Sequence, residues 1–561
     1  MLNRLINPTL VLSTVPVLVV LVGVVLLFKM YPIHINSGTG FGQDPAYQYL
    51  FAAIDILQGN APAHTDHPGT PLQTLIAGVI TSSWLVLRLL GQTSLGLFDS
   101  VLRAPEIFLG AASSTLLIIT SAANFYFGYR IYQATRQYSI SLACQLAPLL
   151  YAAVIPNVVF PTPEALLIAL SLILMGILVP VIFNTGQTRR QFSQSAANWA
   201  GVVCGLGVAT KLTFVPMLAL LLFLGSPKLI LRAFCACILA WFVGVLPILP
   251  RLGTMFQWFY SLLMHSGIHG AGERSVFSIE QLKLAVGWLI TNFSLFYYAV
   301  AAVGILLIIG LILRVLQGTT AICKKINWLS KINVKTDDRS IRADDLLTAS
   351  VFLLVCVTQT LMVAKHLGPG YMIPALPLSL LACAWLLHGQ RVIPISAAIQ
   401  KALGLCCLVV MLSTAATSVT SAINTVTNDH QKGLDSYTSI QQAIARYDQP
   451  LLLGAFNCNF AECALWFGMS LVPKMELKMA SVTPNFYYFD IFSKKLHLPG
   501  QGELTNQQTT ETVDYLTGQA RPVLLISPPF PQLSRLKLEL VAETPVQNLY
   551  RVRGNAESVK P

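Results

Sequence analysis

Hydrophobic residues in this chain run in long blocks, and the polar residues collect between them. Eleven blocks read as membrane-crossing segments: 9–29, 104–127, 138–157, 164–184, 196–210, 212–225, 229–249, 288–313, 346–364, 370–388 and 395–416. A helix that crosses the hydrocarbon core needs about 20 apolar residues. The blocks 196–210 and 212–225 are shorter and are expected to tilt, or to pair as a hairpin that reaches partway. The first block is expected to be a retained span, because its apolar run is long and no small-residue cleavage site follows it. Residues 30–103 form a long polar connection. Within it the amphipathic runs 46–57 and 71–90 are expected to lie at the membrane surface.

The pattern changes after about residue 420. Residues 434–447 read as a helix, 450–454 as a buried strand and 460–470 as a second helix. Residues 523–527 read as another strand, 536–541 alternate with period two, and 549–552 close the series. A segment of this length suffices to fold by itself. The expected architecture is a polytopic α-helical membrane protein of about eleven transmembrane helices over 1–420, with a small C-terminal α/β domain over 421–561.

Composition agrees with that reading. The 561 residues are 54% hydrophobic and 11% charged, against roughly 25% charged in soluble domains, and the mean hydropathy is +0.64. The net charge of +12 comes from Lys and Arg in alternate connections: Arg4, then Arg130 and Arg136, Arg189 and Arg190, Lys228 and Arg232, the basic loop 317–345, and finally Arg391 and Lys401. These connections are expected to be cytoplasmic together with the N-terminus. An odd number of spans then puts the C-terminal domain outside an inner (plasma) membrane. The basic charge is thus an insertion signal. A nucleic-acid partner is excluded, since that would require a soluble basic face with interleaved aromatics. Of the eleven cysteines, Cys458 and Cys463 fall in the outer tail, where a disulfide survives. Their separation of five on an expected helix is awkward for a bridge.

The expected topology puts polar groups on one side. Eight of the nine histidines fall outside: His34, His64, His67, His265, His269, His366, His430 and His497. The acids Asp44, Asp55, Asp66, Asp99 and Glu164 join them. Asp44 follows Gly40 and Gly42, and glycines allow the backbone to approach a ligand closely. A carboxylate there suits a general base acting on a hydroxyl; it equally suits the N-cap of a helix starting at Pro45. Glu164, in Pro161-Thr162-Pro163-Glu164, suits either a helix N-terminus or a second carboxylate on the same cavity. His64, Asp66 and His67 are a candidate set for a divalent metal cation, without the spacing of an established metal motif. Lys211 ends Gly205-Leu206-Gly207-Val208-Ala209-Thr210-Lys211, where a charge is costly unless it reaches water or a partner. It either snorkels or holds a phosphate. Lys365, His366 and Tyr371 crown the ninth and tenth blocks.

These elements, in this order, resemble the GT-C superfamily of membrane glycosyltransferases. The nearest branch is the protein O-mannosyltransferase-like and lipid A aminoarabinose transferase-like group. The resemblance covers roughly residues 1–420. Asp44 stands where the family has an acid in its first outer loop. His67-Pro68-Gly69-Thr70-Pro71-Leu72 stands for a His-Pro-Pro-Leu-like element, with Gly69-Thr70 as a departure. Arg103-Ala104-Pro105 matches an Arg entering the second span, Glu164 a second acid, and Gly205 to Lys211 a Gly-rich element ending in Lys. Gly370-Tyr371-Met372-Ile373-Pro374-Ala375-Leu376-Pro377 matches a basic-Tyr-x-x-Pro-Ala-Leu-Pro element.

The resemblance implies a polyprenyl-phosphate sugar donor and a lipid, glycan or protein acceptor, met at the outer surface of the bilayer. Asp44 would then be the base, with Glu164 positioning the acceptor or a metal. Lys211, Arg103, Arg274 and Lys365 are the implied donor-phosphate contacts. Tyr47, His67, His265, His269, His366 and Tyr371 are the implied substrate contacts. Two readings of other classes stay open: a transporter or flippase of a lipid-linked saccharide, and an assembly protein whose tail binds a partner. A transporter is expected to carry polar residues at mid-bilayer depth and broken helices in matching halves.

Overall fold

The computed structural model describes residues 7–35, 42–65, 69–183, 193–265, 272–275, 279–325, 343–388, 397–455, 458–470, 476–490, 495–498, 502–504, 516, 519, 521–527 and 537–553. The expectations for Asp66, His67, His269 and most of the basic loop 317–345 lie outside these residues.

The chain opens with α1 (Pro8–Met30), α2 (Gln43–Leu57), α3 (Thr70–Leu89), α4 (Leu97–Arg103), α5 (Pro105–Thr135) and α6 (Tyr138–Gln145). It continues with α7 (Pro163–Phe183), α8 (Gln194–Thr210), α9 (Pro227–Val245), α10 (Leu252–Met264), α11 (Ile279–Asn292), α12 (Ser294–Lys325), α13 (Ala343–Lys365), α14 (Leu376–His388) and α15 (Ala397–Ile444). Eight helices among the described residues are long and apolar enough to cross a membrane, or nine if the bent pair α11 and α12 is one span. The protein is therefore a polytopic helical membrane protein.

Three of the eleven expected blocks, and one of the two expected surface runs, depart from expectation. The run 71–90 is not a surface helix: α3 has the length and apolarity of a span and packs into the bundle against α5 and α8. The block 138–157 is not one helix. α6 ends at Gln145 and 3-10 turns follow at Ala147–Leu149 and Ile155–Val158, where Pro148 and Pro156 each withhold an amide donor. The block 212–225 is a 3-10 helix, Leu212–Leu224, interrupted by Pro216. The block 288–313 is bent by 103° between α11 and α12.

Close backbone approach explains the tightest pair. α8 and α9 cross where Gly201 and Gly205, four residues apart, face the carbonyls of Ala233 and Cys237. A Cβ at either glycine would lie 2.0 or 2.2 Å from those oxygens. Small residues at this spacing let apolar helices pack by dispersion where no hydrophobic effect drives them together. The contact fixes the end of α8, from which Lys211 projects.

α15 runs unbroken for 48 residues from the bundle to the C-terminal sheet. There the elements are β1 (Leu451–Ala455), α16 (Ala461–Met469), α17 (Glu476–Val482), β2 (Phe486–Asp490), β3 (Lys495–Leu498), β4 (Gly502–Leu504), β5 (Val523–Ser527), β6 (Lys537–Ala542) and β7 (Asn548–Arg553). The strand order is β4-β3-β2-β1-β5-β7-β6. β1 is parallel to β2 and β5, and the other pairs are antiparallel. The expected α/β character holds. Cys458 and Cys463 are bridged. Cys458 precedes α16, so the two do not share one helix and the expected difficulty disappears.

The sheet domain sits on the polar connection after α1. α16 packs along α2, with Gly468 against the Phe51 ring and the Tyr47 carbonyl. α17 meets α4, where the Lys478 ammonium lies 3.3 Å from Asp99 and 5.5 Å above the Phe98 ring. α2 is thus enclosed between bundle and sheet.

Candidate active site

The first cluster forms where three segments end together. α7 begins at Pro163, and its second residue is Glu164. α8 stops at Thr210, and Lys211 turns to extended backbone (φ −163°, ψ 140°), its amide still bonded to the Gly207 carbonyl at 2.9 Å. The turn can fold back because Gly207 lies under the Phe214 ring with no room for a side chain. The Lys211 ammonium therefore points at Glu164, with Nζ 2.5 Å from Oε1. It also lies 4.5 Å above the Tyr371 ring. Tyr371 comes from the 3-10 helix Pro369–Met372, held by a 2.7 Å bond from Gln359 Nε2 to the Tyr371 carbonyl. Gly370 rests on the Glu164 side chain. A buried cation is tolerated only when paired, and here a carboxylate and an aromatic face share it.

The loop that opens α3 joins this cluster. Gly69 adopts left-handed backbone (φ +59°), which suits glycine, and its amide donates to the Thr210 carbonyl at 3.0 Å. The sequence elements around Gly69, Glu164, Lys211 and Tyr371 are therefore neighbours in space. His64, shortly before, is buried with its ring 5.2 Å from that of Tyr49.

Asp44 stands apart from the Lys211 pair. It has extended backbone (φ −96°, ψ 125°) just before Pro45, the N-cap position of the helical part of α2. Among the described residues no cation pairs with it. Burial pushes its carboxyl up to about 6. A cavity of about 310 Å³ lies near residues flanking the two acids, although neither Asp44 nor Glu164 lines it. Gly42, two residues before Asp44, lines one wall; Phe160, four before Glu164, and Pro369, beside Gly370, line another. Apolar side chains of α1, α15 and the turn after α6 complete it, with Asp429 and His430 as polar members.

A third carboxylate, not singled out in the sequence, organises the entry to α2. Glu106 follows Pro105 at the start of α5. It accepts from the Ile33 amide at 2.8 Å, the His34 amide at 3.0 Å, and the Tyr47 hydroxyl at 2.9 Å, and its Oε1 lies 2.9 Å from His34 Nδ1. Tyr47 is fully buried and spends its hydroxyl on this carboxylate. The signal for Glu106 was present: Pro105-Glu106 repeats the Pro163-Glu164 helix start.

The other residues go elsewhere. His265 caps α10 and pairs with Arg274 in an isolated bridge; its Nδ1 lies 3.1 Å from the Gly272 carbonyl. Lys365 bonds the Leu263 carbonyl, and His366 Nε2 lies 3.1 Å from the Leu262 carbonyl. His265, Lys365 and His366 gather at the C-terminal end of α10, where the Lys365 ammonium complements the helix dipole. Arg103 is exposed at the end of α4. Among the described residues no three His, Cys, Asp or Glu side chains are grouped to hold a metal ion. Of the candidate metal set, Asp66 and His67 lie outside those residues.

No protein-family model and no curated protein sequence matches the chain. Two solved structures align over 95% of this chain and 97% of theirs, each at 13% identity. They are ArnT from Cupriavidus metallidurans bound to undecaprenyl phosphate, with a TM-score of 0.48, and the same protein in the apo state, with a TM-score of 0.47.

Proposed function

We propose that the chain is an integral membrane glycosyltransferase. It moves a sugar from a polyprenyl-phosphate donor to an acceptor hydroxyl at the outer membrane face, with inversion at the anomeric carbon. The observation that carries the reading is the Lys211–Glu164 pair: a cation kept at the ends of apolar segments, aimed by a carboxylate and backed by Tyr371.

The chemistry follows from the charges. As the anomeric carbon–oxygen bond breaks, negative charge builds on the departing polyprenyl phosphate. A preorganised cation in a dry site stabilises that charge more than water does. Lys211 has this role, and Glu164 sets its position. The acceptor oxygen attacks the opposite face of the anomeric carbon and loses its proton to Asp44. A carboxyl with a pKa of about 6 is ionised at neutral pH yet basic enough to take a proton in the transition state. The mainly apolar cavity lined by Gly42, Phe160 and Pro369 suits an amphiphile, with its sugar phosphate at the polar end.

Mass spectrometry of surface glycolipids and glycoproteins, from cells with and without the protein, tests this reading. The expected result is one glycan that loses a single sugar when the protein is removed. A carrier instead leaves product structures unchanged in kind and shifts lipid-linked sugars between leaflets, and that outcome rejects the transferase.

A further inference from the structure

A carboxylate at the start of a helix is already favoured by the free amides and the dipole of its own first turn. Glu106, the second residue of α5, is used differently. Its Oε2 accepts from the Ile33 amide at 2.8 Å. Its Oε1 accepts from the His34 amide at 3.0 Å and the Tyr47 hydroxyl at 2.9 Å, and lies 2.9 Å from His34 Nδ1. A carboxylate offers about four lone-pair sites, and these contacts occupy them. The partners lie 59 to 73 residues away in sequence. They also lie on either side of one connection, since Ile33 and His34 follow α1 and Tyr47 belongs to the first turn of α2. Glu106 therefore ties the exit of α1 to the entry of α2. Both tied segments lead into the candidate site. Ile33 lines the cavity, together with Ile35 and Gly42. Asp44 is three residues before Tyr47, within one helical turn. That turn has little room to slip, because Gly468 of α16 rests on the Tyr47 carbonyl, which a Cβ would approach to 2.9 Å.

We propose that Glu106 is a positioning residue for sugar transfer: it clamps the cavity wall at Ile33 to the first turn of α2, and so fixes the place of Asp44 relative to the cavity. Glu106 touches no reacting atom in this scheme and acts through Tyr47 and the backbone. Its catalytic consequence rests on the proposed role of Asp44 as base; the clamp itself does not. A displacement of about 1 Å in a catalytic group costs on the order of a hundredfold in rate, so a clamp on this turn has a kinetic effect beyond its effect on stability.

The test has two arms. The first reads the clamp alone, by hydrogen–deuterium exchange of the full-length protein in lipid nanodiscs. Glu106→Gln keeps the side-chain shape and replaces one acceptor oxygen by a donor NH₂, so one of the Ile33 and His34 amides loses its acceptor. Exchange in that segment is expected to rise about tenfold, while α8 and α9 exchange as before. Unchanged exchange after α1 overturns the proposal. The second arm is a double-mutant cycle with Asp44→Asn, read as kcat for transfer from a saturating labelled polyprenyl-phosphate lipid. Glu106→Gln is expected to lower kcat about 10- to 100-fold. In the Asp44→Asn background it should cost nothing further, because no base is left to position. Equal losses in both backgrounds mean a merely structural defect and overturn the proposal, as does full activity of Glu106→Gln. Should Glu106→Gln lose protection throughout the chain, Tyr47→Phe, which leaves the carboxylate its other contacts, carries the same cycle. If Asp44→Asn alone transfers at the unsubstituted rate, the role of Asp44 as base fails, and the exchange arm still decides the clamp.

Discussion

The Lys211 ammonium and the Glu164 carboxylate meet at 2.5 Å, with side-chain exposures of 7% and 11%. Neither charge is affordable alone at that depth. Losing one partner of a buried pair costs about 3–5 kcal/mol, because the other remains uncompensated. Lys211→Met and Glu164→Gln are each expected to lower the thermal midpoint of the detergent-purified protein. The double variant should recover most of that loss, since two neutral side chains of similar volume replace the pair. It should not recover sugar transfer, for which the proposed mechanism requires the cation. Thermal unfolding and transfer assayed on the same preparations separate the two effects.

Asp44 carries a pH signature. Its carboxyl rises from an ordinary 3.8 to about 6 in the folded protein. The native state therefore binds the proton more tightly than the unfolded state does. Stability falls as pH rises between about 4 and 6, and the full penalty is present above that window. Asp44→Asn removes the penalty. At neutral pH this variant should be more stable than the unsubstituted protein by about 1–2 kcal/mol, after a discount for partial exposure. The difference should vanish below about pH 4. Denaturation followed at several pH values would contradict this account if the variant is less stable at neutral pH.

Gly205 holds α8 against α9. A Cβ there would meet the Cys237 carbonyl oxygen at 2.2 Å, and backbone cannot yield as a side chain can. Gly205→Ala is expected to destabilise the protein by about 1–3 kcal/mol through overpacking, and to displace Lys211 six residues on. Transfer should fall further than stability explains. A cysteine pair across α8 and α9 that crosslinks equally well in both proteins would contradict the predicted separation.

Tyr47 separates a structural role from a substrate contact. Its hydroxyl donates to Glu106 at 2.9 Å from a fully buried position. Tyr47→Phe should cost about 1–2 kcal/mol of stability, the range for a bond to a charged acceptor that keeps its other donors. The KM for donor and for acceptor should stay unchanged. A raised KM with normal stability would return Tyr47 to the substrate.

Much of this architecture was legible from patterning. Long apolar blocks mark the spans, and strands β1, β5, β6 and β7 follow from their alternation and apolar runs. The short motifs singled out Glu164, Lys211 and Tyr371, which the structure groups, but gave no sign of the Gly69–Thr210 bond or of Asp44 standing apart from them. What stayed hidden depends on tertiary partners. The amphipathicity of α3 does not say whether its apolar side meets lipid surface or α5 and α8. Pro148 and Pro156 sit in an apolar run, so hydropathy passes over the break they make. Glu106 reads as an ordinary helix-start acid until His34 and Tyr47 arrive from 72 and 59 residues away. The inward face of β2 is defined only once α16 packs against both it and α2.

The central claim is that the half-buried carboxylate at the start of α2 takes the proton from the attacking hydroxyl. The direct test uses membranes that contain equal amounts of the unsubstituted protein and of Asp44→Asn, each supplied with a radiolabelled polyprenyl-phosphate sugar at neutral pH. Loss of a general base costs about 10²- to 10⁴-fold in rate, so the asparagine variant should transfer at least a hundredfold more slowly. Transfer at the unsubstituted rate would contradict the account.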